Sequence, residues 1–539
     1  MPELYSLPRS LPEEQAVSSR AIAAFVQAVE AEKLELHSFM LLRHGRVAAE
    51  GWWHPYRADL PHMLYSLSKS FTSTAIGMAV GEGLLSVNDP VVSFFPDDLP
   101  DDLDSRMASM RVRHLLTMTT GHADDAMTRM RAAHPHHLAR GFLHSTVEFA
   151  PGTHFSYNNG ATYMLSAILQ QASGQTLFDY LQPRLFQPLG IVGATWTKCS
   201  RGINMGAFGL SLKTEDIAKF GQLYLQRGLW QGNRILSESW IEEAASPFLP
   251  VESGSVSDWE QGYGYQFWRC RHRAYRGDGA FGQFCVVMPE QDAVLAITSG
   301  VSDMQAVLNC VWEHLLPALG RAAADPATAE EAATGGSAAT DSATGEEAAA
   351  GGSAAADPAT DEGAAAEGSP AADPAATEDA AAQETLRQRL GTLSLLPPRT
   401  QTGSERAARA QPLRSPSTRY KLEENTEGIE FIQFQFQADG QCLFTQWDKR
   451  GEHRVTIGFE KWTENEVQID PYTSRIVASG TWPDERTFLM TWRFIETPHV
   501  MTIRCIFEEN SVLVESSMNV SFGSNVLPSM KGALIDAPL

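Results

Sequence analysis

His62-Met63-Leu64-Tyr65-Ser66-Leu67-Ser68-Lys69-Ser70-Phe71-Thr72-Ser73-Thr74-Ala75-Ile76-Gly77-Met78-Ala79-Val80 is the stretch from which the rest of the sequence is best understood. Leu67, Phe71, Ile76 and Val80 alternate with small Ser, Thr, Ala and Gly residues, the pattern of a helix buried on most sides and packed close to its neighbours. Ser66 and Lys69 are three apart, so the spacing places both side chains on one face of the first turn. Unpaired N–H groups and the positive end of the helix dipole favour a serine alkoxide there. A lysine kept from solvent beside it is pushed toward the neutral amine, a competent base for the serine proton. Serine and lysine at this spacing recur by chance in a chain of this length, so the reading draws on the segments around it.

Upstream, residues 13–34 carry Ile22, Phe25, Val26 and Val29 at helical spacing with polar residues opposite. A hairpin follows, Ser38-Phe39-Met40-Leu41-Leu42 and Val47 to Trp53 about a His44-Gly45 turn. A helix, a hairpin and the Ser66 helix in succession predict a sheet with helices against it. Gly81-Glu82-Gly83 closes the Ser66 helix.

Downstream, Val112 to Gly121 reads as a short helix ending on glycine, and 122–150 as a polar, histidine-rich loop bordering a pocket. Within it, His134-Pro135-His136-His137 lacks a companion carboxylate or cysteine spacing and reads as exposed loop histidines, so no metal is expected. Pro151 to Gly160 is a turn-rich loop before an apolar helix, 161–171. Tyr157 and Asn159, two apart in an extended segment, point the same way into one cleft. A phenol near an ammonium ionises more easily than its ordinary pKa of about 10 suggests and can relay a proton. Thr214 fits the N-cap of a further helix. Strand-like runs follow at 262–268, 274–289 and 293–298, and a helix at 304–319. Glycines at 277, 279 and 282 weaken a strand unless a backbone or ligand comes close, which marks Gly277–Gly282 as a cleft edge.

From about 321 to 385 the chain is Ala, Gly, Ser, Thr, Asp, Glu and Pro, with almost no large apolar residue to offset the entropy of ordering. A disordered acidic linker is expected, carrying roughly half of the formal net charge of -23. Short alternating runs between 418 and 526 predict an all-β sandwich or small barrel. The organisation read from these shifts is 1–320, a linker at 321–385, and an all-β domain at 386–539.

The 539 residues suffice for a large core, and the acidic balance argues against a nucleic-acid surface. Six scattered cysteines without Cys-x-x-Cys spacing read as buried free thiols. No basic segment followed by an apolar run opens the chain, and no stretch approaches eighteen apolar residues, so a cytoplasmic protein without membrane attachment is expected.

Ser66-Leu67-Ser68-Lys69, then Tyr157-Asn158-Asn159, then Gly277-Asp278-Gly279-Ala280-Phe281-Gly282-Gln283, in this order, resemble the serine β-lactamase-like and penicillin-binding-protein-like superfamily. The likeness is nearest to its class C, esterase and 6-aminohexanoate-dimer-hydrolase branch. Leu115 to Gly121, Pro151-Gly152 and Leu212 to Asp216 extend the resemblance over residues 13–319. It implies an α+β fold, an antiparallel sheet flanked by helices plus an all-helical subdomain. It also implies Ser66 as acylated nucleophile, Lys69 as base and Tyr157 as proton relay. Asn159, Gly277 and Gly279 would contact substrate, and the backbone amides of Ser66 and Ala280 would form the oxyanion hole. No cofactor is implied. One departure stands out: in β-lactamases and transpeptidases the third motif usually begins with Lys or His, which helps hold the substrate carboxylate, whereas here Gly277 has no side chain and Arg276 or a loop arginine would have to substitute. The expected activity is therefore hydrolysis of a small ester or amide through an acyl-enzyme. β-Lactamase, D-alanyl carboxypeptidase or D-aminopeptidase chemistry is the alternative, and a non-catalytic binding or sensory module the second. Substrate identity and oligomeric state are not fixed by the sequence.

Overall fold

The computed structural model describes residues 6–248, 254–320, 374–399, 417–437, 440–469 and 472–535. Most of the expected linker, 321–373, lies outside the described residues.

Strands β1 (Leu36–Arg43) and β2 (Arg46–Trp52) form the expected hairpin. The left-handed backbone of His44 (φ 48°) and Gly45 (φ 72°) gives the two-residue turn whose twist suits paired strands. β3 (Trp268–Arg269), β4 (Tyr275–Gly279), β5 (Gln283–Met288) and β6 (Ala293–Ser299) complete a six-stranded sheet in the order β2-β1-β6-β5-β4-β3. Every pairing in it is antiparallel. The uninterrupted apolar run of β1 follows from burial of both faces. Phe39 and Leu41 pack with helix α1 (Ser19–Ala31) and the helical stretch 304–319. Met40 and Leu42 pack on the opposite side with helices α2 (Ser68–Gly81) and α4 (Thr214–Leu225). In α1, the residues that face the sheet are those with helical spacing in the sequence, Ile22, Phe25, Val26 and Val29.

Helix α2 is buried from Ser68 through Ala79. Its small residues have specific neighbours: a Cβ on Gly77 would lie 2.6 Å from the Trp240 ring. Two of its buried hydroxyls are bonded to neighbouring loops, Ser70 Oγ to Gln266 O at 2.9 Å and Thr72 Oγ1 to Gly206 O at 2.9 Å. Short helices between residues 105 and 143, with α3 (Asn159–Ser173), form the helical subdomain against α2.

Several local expectations are corrected. The supposed loop 122–150 contains two helices, Ala126–Ala133 and Leu138–Leu143, started by the side chains of Asp125 and His137. Residues 262–267 turn rather than extend, because Gln266 adopts φ 63° and spends its buried amide on Thr162, Leu115 and Leu116. The run 274–289 is a hairpin whose loop is Ala280-Phe281-Gly282, with Phe281 at φ 66° and Gly282 at φ 89°. The N-cap residue of α4 is Lys213, one before the expected Thr214. Residues 374–385, read as part of the linker, belong to helix α5 (Pro374–Gly391). The apolar residues that hold the end of α5 come late in it: Leu386, with Leu393 just beyond, is buried against α1 and β2.

The C-terminal strands are β7 (Ser417–Leu422), β8 (Ile429–Gln437), β9 (Gln441–Asp448), β10 (Gly451–Phe459), β11 (Thr463–Ile469), β12 (Tyr472–Thr481), β13 (Thr487–Phe494), β14 (Val500–Phe507), β15 (Ser511–Met518) and β16 (Met530–Ile535). They run in the order β10-β9-β8-β7-β16-β15-β14-β13-β12-β11, and a parallel pairing of β10 with β12 closes the sheet into a barrel. The interior is filled by rings, among them Phe434, Phe444, Phe488, Trp492 and Phe507. The barrel is docked on the first domain: the buried Arg493 guanidinium forms a bidentate pair with Glu35 at 2.7 and 3.1 Å, and Met63 N donates to Glu496 O at 2.8 Å. Among the described residues, no helix is long and apolar enough to cross a membrane.

Candidate active site

Ser66 lies on a single 3-10 turn, Tyr65–Leu67, that leads into α2, so its hydroxyl stands at the open end of a helix whose body is sealed in the core. Tyr65, just before it, holds a left-handed backbone (φ 49°). Such a conformation is costly for a residue with a Cβ and persists only where surroundings fix it. Two features fix it here. The Tyr65 hydroxyl and His499 Nε2 of the barrel are hydrogen-bonded at 2.6 Å. The backbone of β4 also comes so close that a Cβ on Gly279 would lie 2.0 Å from Leu64 O.

One turn along, Lys69 is 1% exposed. Its Nζ donates to Ser66 Oγ at 3.0 Å, Asn159 Oδ1 at 2.8 Å and Ala207 O at 3.0 Å, and stands 4.7 Å from the centre of the Tyr157 ring. All of these partners are uncharged. Burial therefore dominates and lowers the amine to about 7, against the opposing charges of Asp125 and Asp278. Near neutral pH a large share of the lysine is the free base.

The Tyr157 hydroxyl faces Ser66, and its ring stacks on Trp268 with centroids 5.8 Å apart. Its acidity departs from the expectation: burial, and then the charge of Asp278, push the phenol well above its ordinary value. The ammonium that was to ease its ionisation is itself held toward neutrality, so the hydroxyl stays protonated. Asn159 is the first residue of α3, capped by Asn158, and its orientation is set from outside the expected motifs. Asn159 Nδ2 donates to Asp125 Oδ2 at 2.7 Å and Asn159 N to Asp125 Oδ1 at 2.8 Å, which leaves the amide oxygen for Lys69.

These groups open onto a cavity of about 790 Å³ whose walls include Ser66, Tyr157, Asn159, Asp278, Ala280 and Phe522. Ser66, Lys69, Tyr157, Asn159 and Ala280 are thus brought together in one place. Gly277 and Gly279 are placed differently, facing the nucleophile turn rather than the cavity. A Cβ on Gly277 would lie 2.4 Å from Leu67 Cδ1, so no side chain fits there. The neighbouring Arg276 is no substitute for the family's cation. It is 0% exposed and bonded to Asp278 at 3.0 Å and Asp258 O at 2.9 Å. The sequence reading gave no role to Asp125, Asp278, Trp268 or Phe522. Asp125 alone carried a local signal, a carboxylate heading the helix Ala126–Ala133.

Among the described residues, no cluster of His, Cys, Asp and Glu is arranged to hold a metal ion. Comparison with known proteins places this arrangement in context. A 6-aminohexanoate-dimer hydrolase of Paenarthrobacter ureafaciens is 26% identical over 54% of this chain and 80% of its own length. Esterase EstB of Burkholderia gladioli is 26% identical over 33% of this chain and 50% of its own length. The solved structure of an octameric penicillin-binding protein homologue from Pyrococcus abyssi covers 95% of this chain and 99% of its own, at 15% identity and TM-score 0.46. The Beta-lactamase family model matches residues 22–305, more than half of the sequence and every group that faces Ser66 from the first domain, and the chain belongs to that family.

Proposed function

We propose that the protein is a serine hydrolase that cleaves small esters or amides through an acyl-enzyme on Ser66. The observation that carries this reading is a serine hydroxyl 3.0 Å from a buried lysine amine whose pKa lies near 7. Ser66 Oγ attacks the substrate carbonyl while its proton passes to Lys69 Nζ. The negative oxygen that develops is received by the amides of Ser66 and Ala280. Tyr157, protonated and facing Ser66, hands its proton to the departing oxygen or nitrogen and is reprotonated through Lys69. Water, activated by the same amine, then attacks the acyl carbon and releases the acid. Asn159, fixed by Asp125, keeps the amine aimed at Ser66.

The third motif supplies no cation for a substrate carboxylate. No side chain fits at Gly277, and Arg276 is buried and paired with Asp278, which leaves Arg131 as the arginine in the cavity wall. Neutral acyl esters and amides are favoured. Turnover of p-nitrophenyl acetate and a panel of small amides by wild type beside Ser66→Ala tests the reading. Wild-type hydrolysis that disappears in Ser66→Ala is expected, and equal rates in the two proteins would refute it.

A further inference from the structure

The barrel reaches into the catalytic cavity. Phe522, in the connection between β15 and β16, is 77% exposed, yet its ring is packed against Tyr65 at 5.7 Å and Phe281 at 4.9 Å and forms part of the cavity wall. Tyr65 and Phe281 adjoin Ser66 and Ala280, the two proposed oxyanion donors, and both hold left-handed backbone. His499 of the barrel bonds the Tyr65 hydroxyl and lies 5.7 Å from the Phe281 ring. The exposed face of Phe522 therefore belongs to the wall of the catalytic cavity, where a bound apolar group would cover it.

We propose that Phe522 is a specificity-determining residue, a wall supplied by the C-terminal barrel that selects substrates with a large apolar acyl group. This rests on the serine hydrolase reading. The direction follows from the positions of the proton donor and the oxyanion donors. The leaving atom must meet the Tyr157 hydroxyl, so the leaving group lies along the Tyr157 and Trp268 wall. The carbonyl oxygen turns to Ser66 N and Ala280 N. The acyl substituent then runs past Tyr65 and Phe281, where the open face of Phe522 covers it. Burying that face and an acyl chain together removes apolar surface from water on both sides, which is worth about tenfold in discrimination for a contact of this size.

The test compares p-nitrophenyl acetate, butyrate, hexanoate and phenylacetate on wild type, Phe522→Ala and Phe522→Leu. Phe522→Ala is expected to raise KM about tenfold more for hexanoate and phenylacetate than for acetate, with Phe522→Leu recovering much of the hexanoate affinity. An equal change for all four esters, or no change for any, overturns the proposal. Wild type that turns over none of the esters and is not labelled at Ser66 defeats the underlying hydrolase reading instead, a result distinguishable from loss of acyl selectivity alone.

Discussion

The side-chain carbonyl of Asn159 accepts a hydrogen bond from Lys69 Nζ at 2.8 Å, shorter than the 3.0 Å between that nitrogen and Ser66 Oγ. The lysine is therefore held by an amide as well as by the nucleophile, and its protonation depends on neutral neighbours and on more distant carboxylates.

A consequence is the pH dependence of turnover. The neutral amine is the active form, and burial puts its midpoint at about 7. kcat/KM for an ester is expected to fall about tenfold per unit as pH drops below that midpoint, and to level off above it. Because burial keeps the Tyr157 phenol protonated through the alkaline range, no second ionisation of this group interrupts the plateau. A stopped-flow or steady-state pH profile measures both limbs.

The same burial affects stability. The unfolded chain holds the Lys69 proton up to about 10.5, whereas the folded protein releases it near 7. Between these values the unfolded state binds more protons, so this group's contribution to stability rises with pH through that window, and its cost is fully present below about 7. Lys69→Met removes the titration. Its Tm relative to wild type is expected to be most favourable on the acid side and to lose ground steadily toward the alkaline end, while turnover falls by about 10³-fold or more throughout. Thermal melts across the pH range decide it.

Asp125 acts through Asn159, to whose side-chain amide and backbone N–H it is bonded at 2.7 and 2.8 Å. Asp125→Asn keeps a helix cap but lets the Asn159 amide turn, and it removes a charge that raises the Lys69 pKa. kcat is expected to fall on the order of tenfold to a hundredfold, with the acid limb displaced to lower pH. A purely structural role would leave the limb where it is.

Gly279 faces Leu64 O so closely that an added methyl would lie 2.0 Å away. Gly279→Ala is expected to cost about 1–3 kcal/mol by overpacking and to shift the Ser66 turn, lowering kcat far more than KM. Calorimetry beside ester kinetics separates the two effects. Gly277→Lys, which would restore the usual first residue of the third motif, has no room beside Leu67 and is expected to yield no nitrocefin turnover.

The helix on which the site is built was plain in the sequence, because burial on most sides leaves a distinctive mixture of large apolar and small residues. So were α1, from its helical spacing, and the β1–β2 hairpin, from two apolar runs about the His44-Gly45 turn. Short elements were not. The helices at 126–133 and 138–143 are each too brief for their spacing to stand out, and the hairpin turn at Ala280-Phe281-Gly282 lacks a distinctive turn pair, following a strand that is itself rich in glycine. The same limits apply at the site. Ser66, Lys69 and Tyr157 carry chemistry in their own identities, whereas Asp125 and Phe522 matter only through contacts with residues 34 and 457 positions away in the chain. The glycines show the reverse error: their backbone closeness was legible, but its cause is the nucleophile turn rather than a ligand.

The most direct test is the mass of the protein after brief exposure to a fluorophosphonate or to p-nitrophenyl acetate, followed by mapping of the modified peptide. A single adduct on Ser66, forming at a rate that rises with pH about a midpoint near 7 and absent from Ser66→Ala, is the predicted result. Labelling that survives Ser66→Ala unchanged, or an adduct on another residue, would contradict the account.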